Sequence, residues 1–243
     1  MASLFNSVGI HAILLDIEGT TTPIDFVAKQ LFPFASVRVE DFLRYNCGQP
    51  EIATVIEELR EVSRRDHGYS AGSWPAGSNE KAITSAAAYV RCLIAKDSKI
   101  TPLKTLQGKI WEEGYRSGEL KGGVYPDVAP ALARWKKQRQ RIAIFSSGSV
   151  LAQKLLFAHS TAGDLTPFMD AYFDTATGSK REAVSYQKIA AALKLKPERF
   201  VFVSDVEAEL DAARTAGMRT LLSLRPGVRV PEKTDHPAIK NFD

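Results

Sequence analysis

Apolar residues along the chain follow two periods, and the switches between them outline the fold. From Ile10 to Ile17 they form a nearly unbroken run that ends in Asp16-Ile17-Glu18-Gly19-Thr20-Thr21. With no helical stripe and a turn behind it, this run predicts a first β-strand buried on both faces. Between Pro23 and Gly123 the period lengthens. Ile52, Val55, Ile56, Leu59 and Val62 recur at helical spacing within Glu51–Arg65, and Ile83, Ala86, Ala87, Val90, Leu93 and Ile94 do the same. Leu103, Leu106 and Ile110 form a third, shorter stripe that Gly114 and Gly118 are expected to close. The Gly- and Ser-rich stretch Asp66–Asn79 reads as a loop. No strand signal interrupts this region, which predicts an all-helical insert.

After Gly122-Gly123 strands and helices alternate. Helices are expected over Val128–Lys137, Val150–Ala158, Glu182–Leu193 and Glu207–Ala216, and strands over Arg141–Phe145, Ala171–Phe173, Phe200–Val203 and Thr220–Leu224. The tail beyond Pro226 reads as irregular. Such alternation predicts an α/β fold, a parallel Rossmann-like sheet flanked by helices, with an inserted all-helical cap domain. The expected core domain is 1–22 with 123–243, and the cap is 23–122. An insert placed directly after strand 1 would lie over Asp16.

The 243 residues, 44% of them hydrophobic, suffice for a substantial buried core, and 25% charged residues are ordinary for a globular protein. A net charge of +4 favours an anionic small molecule and is too weak to argue for nucleic acid. No apolar stretch approaches a membrane span, and the N-terminal run is broken by Asp16 and lacks a basic leader, so neither membrane nor signal peptide is expected. Cys47 and Cys92 form no Cys-x-x-Cys pair, which suits a reducing, cytoplasmic setting. The basic run Arg134–Arg141 leaves the nucleus as an alternative, although at a helix end it reads first as a solvated face.

Candidate chemistry gathers at strand ends. Asp16 and Glu18, two positions apart on an extended chain, point the same way and suit nucleophilic attack by one and proton transfer by the other; read alone, they are equally an ordinary acidic turn after a strand. Ser146-Ser147-Gly148-Ser149 follows the second strand, where hydroxyls, amides and a helix N-terminus suit an anion; read alone, it is first an ordinary strand–helix loop. Lys180 is by itself a plain loop lysine. Asp205, with Glu207 and Glu209 behind it, is either a helix cap or a ligand for a hard cation. The four histidines lack metal-ligand spacing, and Trp74, Trp111 and Trp135 read as packing residues.

Taken in order, Asp-x-Glu-Gly-Thr, a strand-end Ser, a later Lys and Ser-Asp-x-x-x-Glu resemble the four motifs of the haloacid-dehalogenase-like hydrolases. The closer likeness is to the enolase-phosphatase (acireductone synthase) family of methionine salvage. It is carried by Asp16-Ile17-Glu18-Gly19-Thr20-Thr21 through Phe26, Leu31-Phe32-Pro33-Phe34-Ala35, Gln153–Phe157, His159-Ser160, Phe173-Asp174-Thr175, Ser185-Tyr186 and Arg225-Pro226-Gly227. Glu18 departs from the Asp of most phosphatases in the superfamily and matches this family.

The resemblance implies Asp16 as nucleophile, Glu18 as general acid/base, and Ser146, Ser147 and Lys180 as the phosphate cradle. It implies one Mg²⁺ per subunit held by Asp16, Glu18 (through its carbonyl) and Asp205, with Glu209 orienting the metal shell. The implied substrate is 2,3-diketo-5-methylthiopentyl-1-phosphate, enolised and then dephosphorylated by a cytoplasmic monomer with no nucleic-acid partner. Glu18 and a cap residue stay open as the enolisation base. A broad phosphatase for small phosphate esters and a non-catalytic phosphate-binding protein are the rival readings.

Overall fold

A computed structural model describes Phe5 and residues 9–66, 74–75 and 80–243. The chain divides into two compact units, Met1–Phe26 with Lys121–Asp243, and Val27–Leu120.

The first unit is built on a six-stranded, wholly parallel sheet. Its strands are β1 (Ala12–Leu15), β2 (Arg141–Phe145), β3 (Ala171–Phe173), β4 (Phe200–Ser204), β5 (Arg219–Ser223) and β6 (Ala238–Ile239), in spatial order β3-β2-β1-β4-β5-β6. Both faces are covered, so β1 and β4 are buried at every position, as their unbroken apolar runs require. Ala12 and Leu14 pack with Phe145, Phe202, Tyr186, Ile189 and Leu210 in one core layer. The helices are α5 (Val128–Lys137), α6 (Val150–Ala158), α7 (Ala183–Ala192) and α8 (Glu207–Thr215). Anchored by register pairs Leu15–Ile144 and Leu15–Val203, the C-terminal ends of β1, β2 and β4 lie side by side. From β1 the order runs to β2 and β3 on one side and to β4 and β5 on the other. That reversal is where open α/β sheets place their ligands.

The tail is not irregular throughout. Ala238–Ile239 forms β6 on the edge of β5, with Leu224 N–H donating to the Ile239 carbonyl at 2.7 Å. Phe242 is fully buried beside Trp135 and Phe5, with ring centroids 5.3 and 6.0 Å away. Two residues joined by backbone bonds leave no period in a sequence.

The second unit is helical, as expected. Besides α2 (Pro50–Arg65) and α3 (Glu80–Ala95), it holds α1 (Phe32–Asn46), preceded by a wider five-residue turn at Val27–Leu31, and α4 (Thr101–Ser117). Helix α4 is the longest of the unit, not a short stripe closed at Gly114. Gly114 lies within it because a Cβ there would come within 2.5 Å of the Phe34 ring; Gly118, left-handed at φ 78°, ends it. The loop expected over Asp66–Asn79 falls, apart from Asp66, Trp74 and Pro75, outside the described residues. No helix among the described residues is long and apolar enough to cross a membrane.

Candidate active site

Asp16 leaves β1 with only 6% of its surface exposed, its N–H donating to the Val203 carbonyl at 3.0 Å. Oδ1 accepts the Ile17 N–H at 2.7 Å, and Oδ2 lies 3.0 Å from Ser204 Oγ and 2.7 Å from Lys180 Nζ. The carboxylate is thus fixed at both oxygens.

Lys180 reaches this point from the loop before α7. Its Nζ also lies 2.6 Å from Glu209 Oε2, joining the two acids. Its backbone is held from below, because Tyr186 Oη donates to the Lys180 carbonyl at 2.7 Å. The Tyr186 ring is wedged between Phe145 and Phe202, at 5.6 and 5.1 Å between centroids. Burial alone would lower the lysine pKa, but the Asp16 and Glu209 charges outweigh it and hold the ammonium above the ordinary lysine value.

Ser204 and Glu209 complete the floor. Ser204 Oγ stands 3.0 Å from both Asp16 Oδ2 and Glu209 Oε2 while accepting the Val206 N–H. One hydroxyl has one proton to give, and the Lys180 ammonium supplies further donors to both carboxylates. Burial, reinforced by the Asp16 charge, pushes the Glu209 carboxyl up to about 7.

Asp205 begins the turn into α8. Burial, with the Asp16 charge adding and Glu18 contributing, pushes it up to about 6. Its carboxylate rests on Gly19, where a Cβ would come within 2.4 Å of Oδ2; φ there is 65°. Both the contact and the backbone angle require glycine. Glu18 is half-buried and paired through its backbone with Thr22.

On the β2 side, Ser146 is buried and Ser147 half-buried at the strand end. Ser146 N–H donates to the Phe173 carbonyl at 3.2 Å, and Gly148 N–H to Ser146 Oγ at 3.2 Å. The turn is fastened by Gln153, 1% exposed, whose Nε2 donates to the carbonyls of Gly148 (2.8 Å) and Phe173 (2.9 Å). Ser149 caps α6, whose N-terminus faces the turn and favours an anion.

The structure therefore joins Asp16, Lys180, Glu209 and Ser204 by direct contact, sets Asp205 against Gly19, and puts Ser146 and Ser147 at the end of the adjoining strand. Sequence reading assigned no role to Ser204, Gln153 or Tyr186. Ser204 lay inside a recognised motif, and the other two lay in matched segments, but only their partners reveal what they hold. His236, read as bland, is buried against Thr220 and Asp211, at 2.8 and 3.2 Å.

The donor set suits a hard divalent cation: all oxygen, with Asp16, Glu18 and Asp205 mutually repelling and Lys180 the cation that offsets them. Among the described residues no three His, Cys, Asp or Glu side chains form a metal-holding group.

An acidic cluster stands at the switch point of this parallel sheet, and a family model described as haloacid dehalogenase-like hydrolase matches residues 10–217. The chain is 52% identical to "Enolase-phosphatase E1" of Synechococcus elongatus, over 97% of this chain and 98% of the relative. It is 46% identical to the Drosophila melanogaster protein of the same name, over 95% and 90%. Among solved structures, the UTR4 protein of Saccharomyces cerevisiae superposes with a TM-score of 0.79 at 34% identity, covering 96% of this chain and 99% of that one. The chain belongs to the haloacid dehalogenase-like hydrolases and, within them, to the enolase-phosphatase E1 family.

Proposed function

We propose that this chain is an enolase-phosphatase that converts 2,3-diketo-5-methylthiopentyl-1-phosphate to the acireductone 1,2-dihydroxy-3-keto-5-methylthiopentene and phosphate. The observation that carries the phosphatase half is Lys180 Nζ set between Asp16 and Glu209 at the sheet's switch point. The choice of substrate rests on the near full-length likeness to relatives named for this activity.

In this reading a proton leaves the carbon bearing the phosphate and the neighbouring carbonyl oxygen takes one up, giving the enol. Asp16 then attacks phosphorus in line, and the ester P–O bond breaks as the aspartyl-phosphate forms. Glu18 gives a proton to the departing enol oxygen. It then takes one from the water that cleaves the aspartyl-phosphate, which restores Asp16 and frees phosphate. Ser146, Ser147 and Lys180 hold the phosphoryl oxygens, and the fixed geometry of Asp16 means little reorganisation at the moment of attack. Asp16, Asp205 and the Glu18 carbonyl would hold one Mg²⁺, which when bound neutralises charge on those oxygens. The helical unit serves as the cap. The enzyme acts as a monomer in a reducing cytoplasm, in keeping with the free Cys47 and Cys92.

Incubation with the diketone phosphate and Mg²⁺, following enediol ultraviolet absorbance together with free phosphate, tests the reading. Both signals should rise, and the diketone should exceed sugar phosphates in kcat/KM. Equal turnover across simple esters with no enediol would establish the broad phosphatase instead.

A further inference from the structure

The loop that carries Glu18 is fastened from the far end of the chain. Arg225, just beyond β5, is 5% exposed, and its Nε donates to the Thr20 carbonyl at 3.0 Å. Beside it Ser223 Oγ donates to the Gly19 carbonyl at 2.8 Å. The rest of the guanidinium is committed elsewhere. Nη1 donates to Asp127 Oδ1 at 2.9 Å and to the Lys240 carbonyl at 3.2 Å, and Nη2 lies 2.8 Å from Asp127 Oδ2. Its Cζ lies over the rings of Tyr125 and Phe242, 4.5 and 4.4 Å from their centroids. Asp127 Oδ2 in turn accepts the Phe242 N–H at 2.7 Å.

A planar fork with several donors is what this arrangement needs. One arm holds the loop, the others hold Asp127 and the C-terminal segment, and the two rings keep the plane from rotating. A lysine ammonium is a point charge on a flexible stem and cannot keep all three directions at once. A buried arginine is costly unless its charge is paired, and Asp127 supplies the pairing carboxylate.

We infer that Arg225 is a positioning residue for the proposed reaction: through the Thr20 carbonyl it sets the Glu18–Gly19 loop, and through Asp127 and Phe242 it makes that setting depend on the C-terminal segment. The inference rests on the function proposed above, in which Glu18 moves protons and its carbonyl would help hold the cation. Arg225 itself touches no reacting group. Its effect is on the placement of Glu18, and so on kcat rather than on the affinity for the phosphate ester.

The test compares wild type, Arg225→Lys, Phe242→Leu and the double variant, each normalised to folded protein by circular dichroism and its melting transition. In Arg225→Lys, kcat should fall about 10- to 100-fold, the cost expected of a small misplacement, while KM changes less than about threefold. Phe242→Leu should lower kcat by a smaller factor in the same direction, and the double variant should lose little beyond Arg225→Lys, because the two act through one contact. A purely structural residue would lower Tm and leave kcat per folded molecule unchanged. Arg225→Lys within about twofold of wild-type kcat overturns the inference; if that variant does not fold, the same result for Phe242→Leu does so. Wild type silent on the diketone phosphate yet active on another ester refutes the substrate instead, and the comparison is then read on that ester. Wild type silent on every ester refutes the function and this inference with it.

Discussion

Gly19 and Asp205, on different strands' ends, are in contact so close that a Cβ on the glycine would lie 2.4 Å from the aspartate Oδ2. Gly19→Ala therefore pushes the Asp205 carboxylate away and strains a backbone at φ 65°. We expect kcat/KM to fall by about 100-fold, in line with the cost of small misplacements at a reacting centre. The Mg²⁺ concentration for half-maximal activity should rise, as a titration of the variant would measure. An unchanged Mg²⁺ requirement would separate Asp205 from the cation.

Lys180→Ala leaves Asp16 and Glu209 facing one another without their shared cation. Removing one member of a buried charge set costs about 3–5 kcal/mol of stability, and here both ion pairs, at 2.7 and 2.6 Å, are lost together. A drop in Tm should accompany a fall in kcat/KM for the phosphate ester. Unaltered kcat/KM would remove Lys180 from the phosphate cradle.

Asp205 and Glu209 ionise later in the folded protein than in the unfolded chain, at about 6 and about 7. The folded state thus binds more protons between about pH 4 and pH 7. Their contribution to stability is full below their unfolded values and is lost as pH rises through the folded ones. Thermal melts of metal-free protein should show a Tm decline across that window that is smaller in Glu209→Gln. Added Mg²⁺ should raise Tm most at the alkaline end, where the carboxylates are ionised. Identical pH profiles in wild type and Glu209→Gln would contradict the assignment.

The chemistry was legible where the fold advertises it. Strands buried on both faces are written as apolar runs, so the first polar residue after each, Asp16, Ser146 and the Ser204-Asp205 pair, stood out as a strand end. Lys180 was legible only through motif order, since its loop resembles any other. Glu209 was legible through the same motif order, and its direct partners are Lys180 and Ser204. Helix α1 left a weak signal because Pro33 and a scatter of charged residues dilute its stripe, although proline is favoured in a first turn. Gly114 looked like a terminator because sequence cannot display the Phe34 ring packed on it. Arg225 stood out only as part of the matched Arg225-Pro226-Gly227 segment, because its partners Asp127 and Phe242 are remote in sequence.

Acid quench during turnover of the diketone phosphate, followed by mass spectrometry of the peptide containing Asp16, tests the central claim most directly. The account predicts one added phosphoryl group on that peptide in wild type. In Asp16→Asn it predicts none, with no phosphate released and the melting transition retained. Phosphate release by Asp16→Asn at the wild-type rate would contradict it.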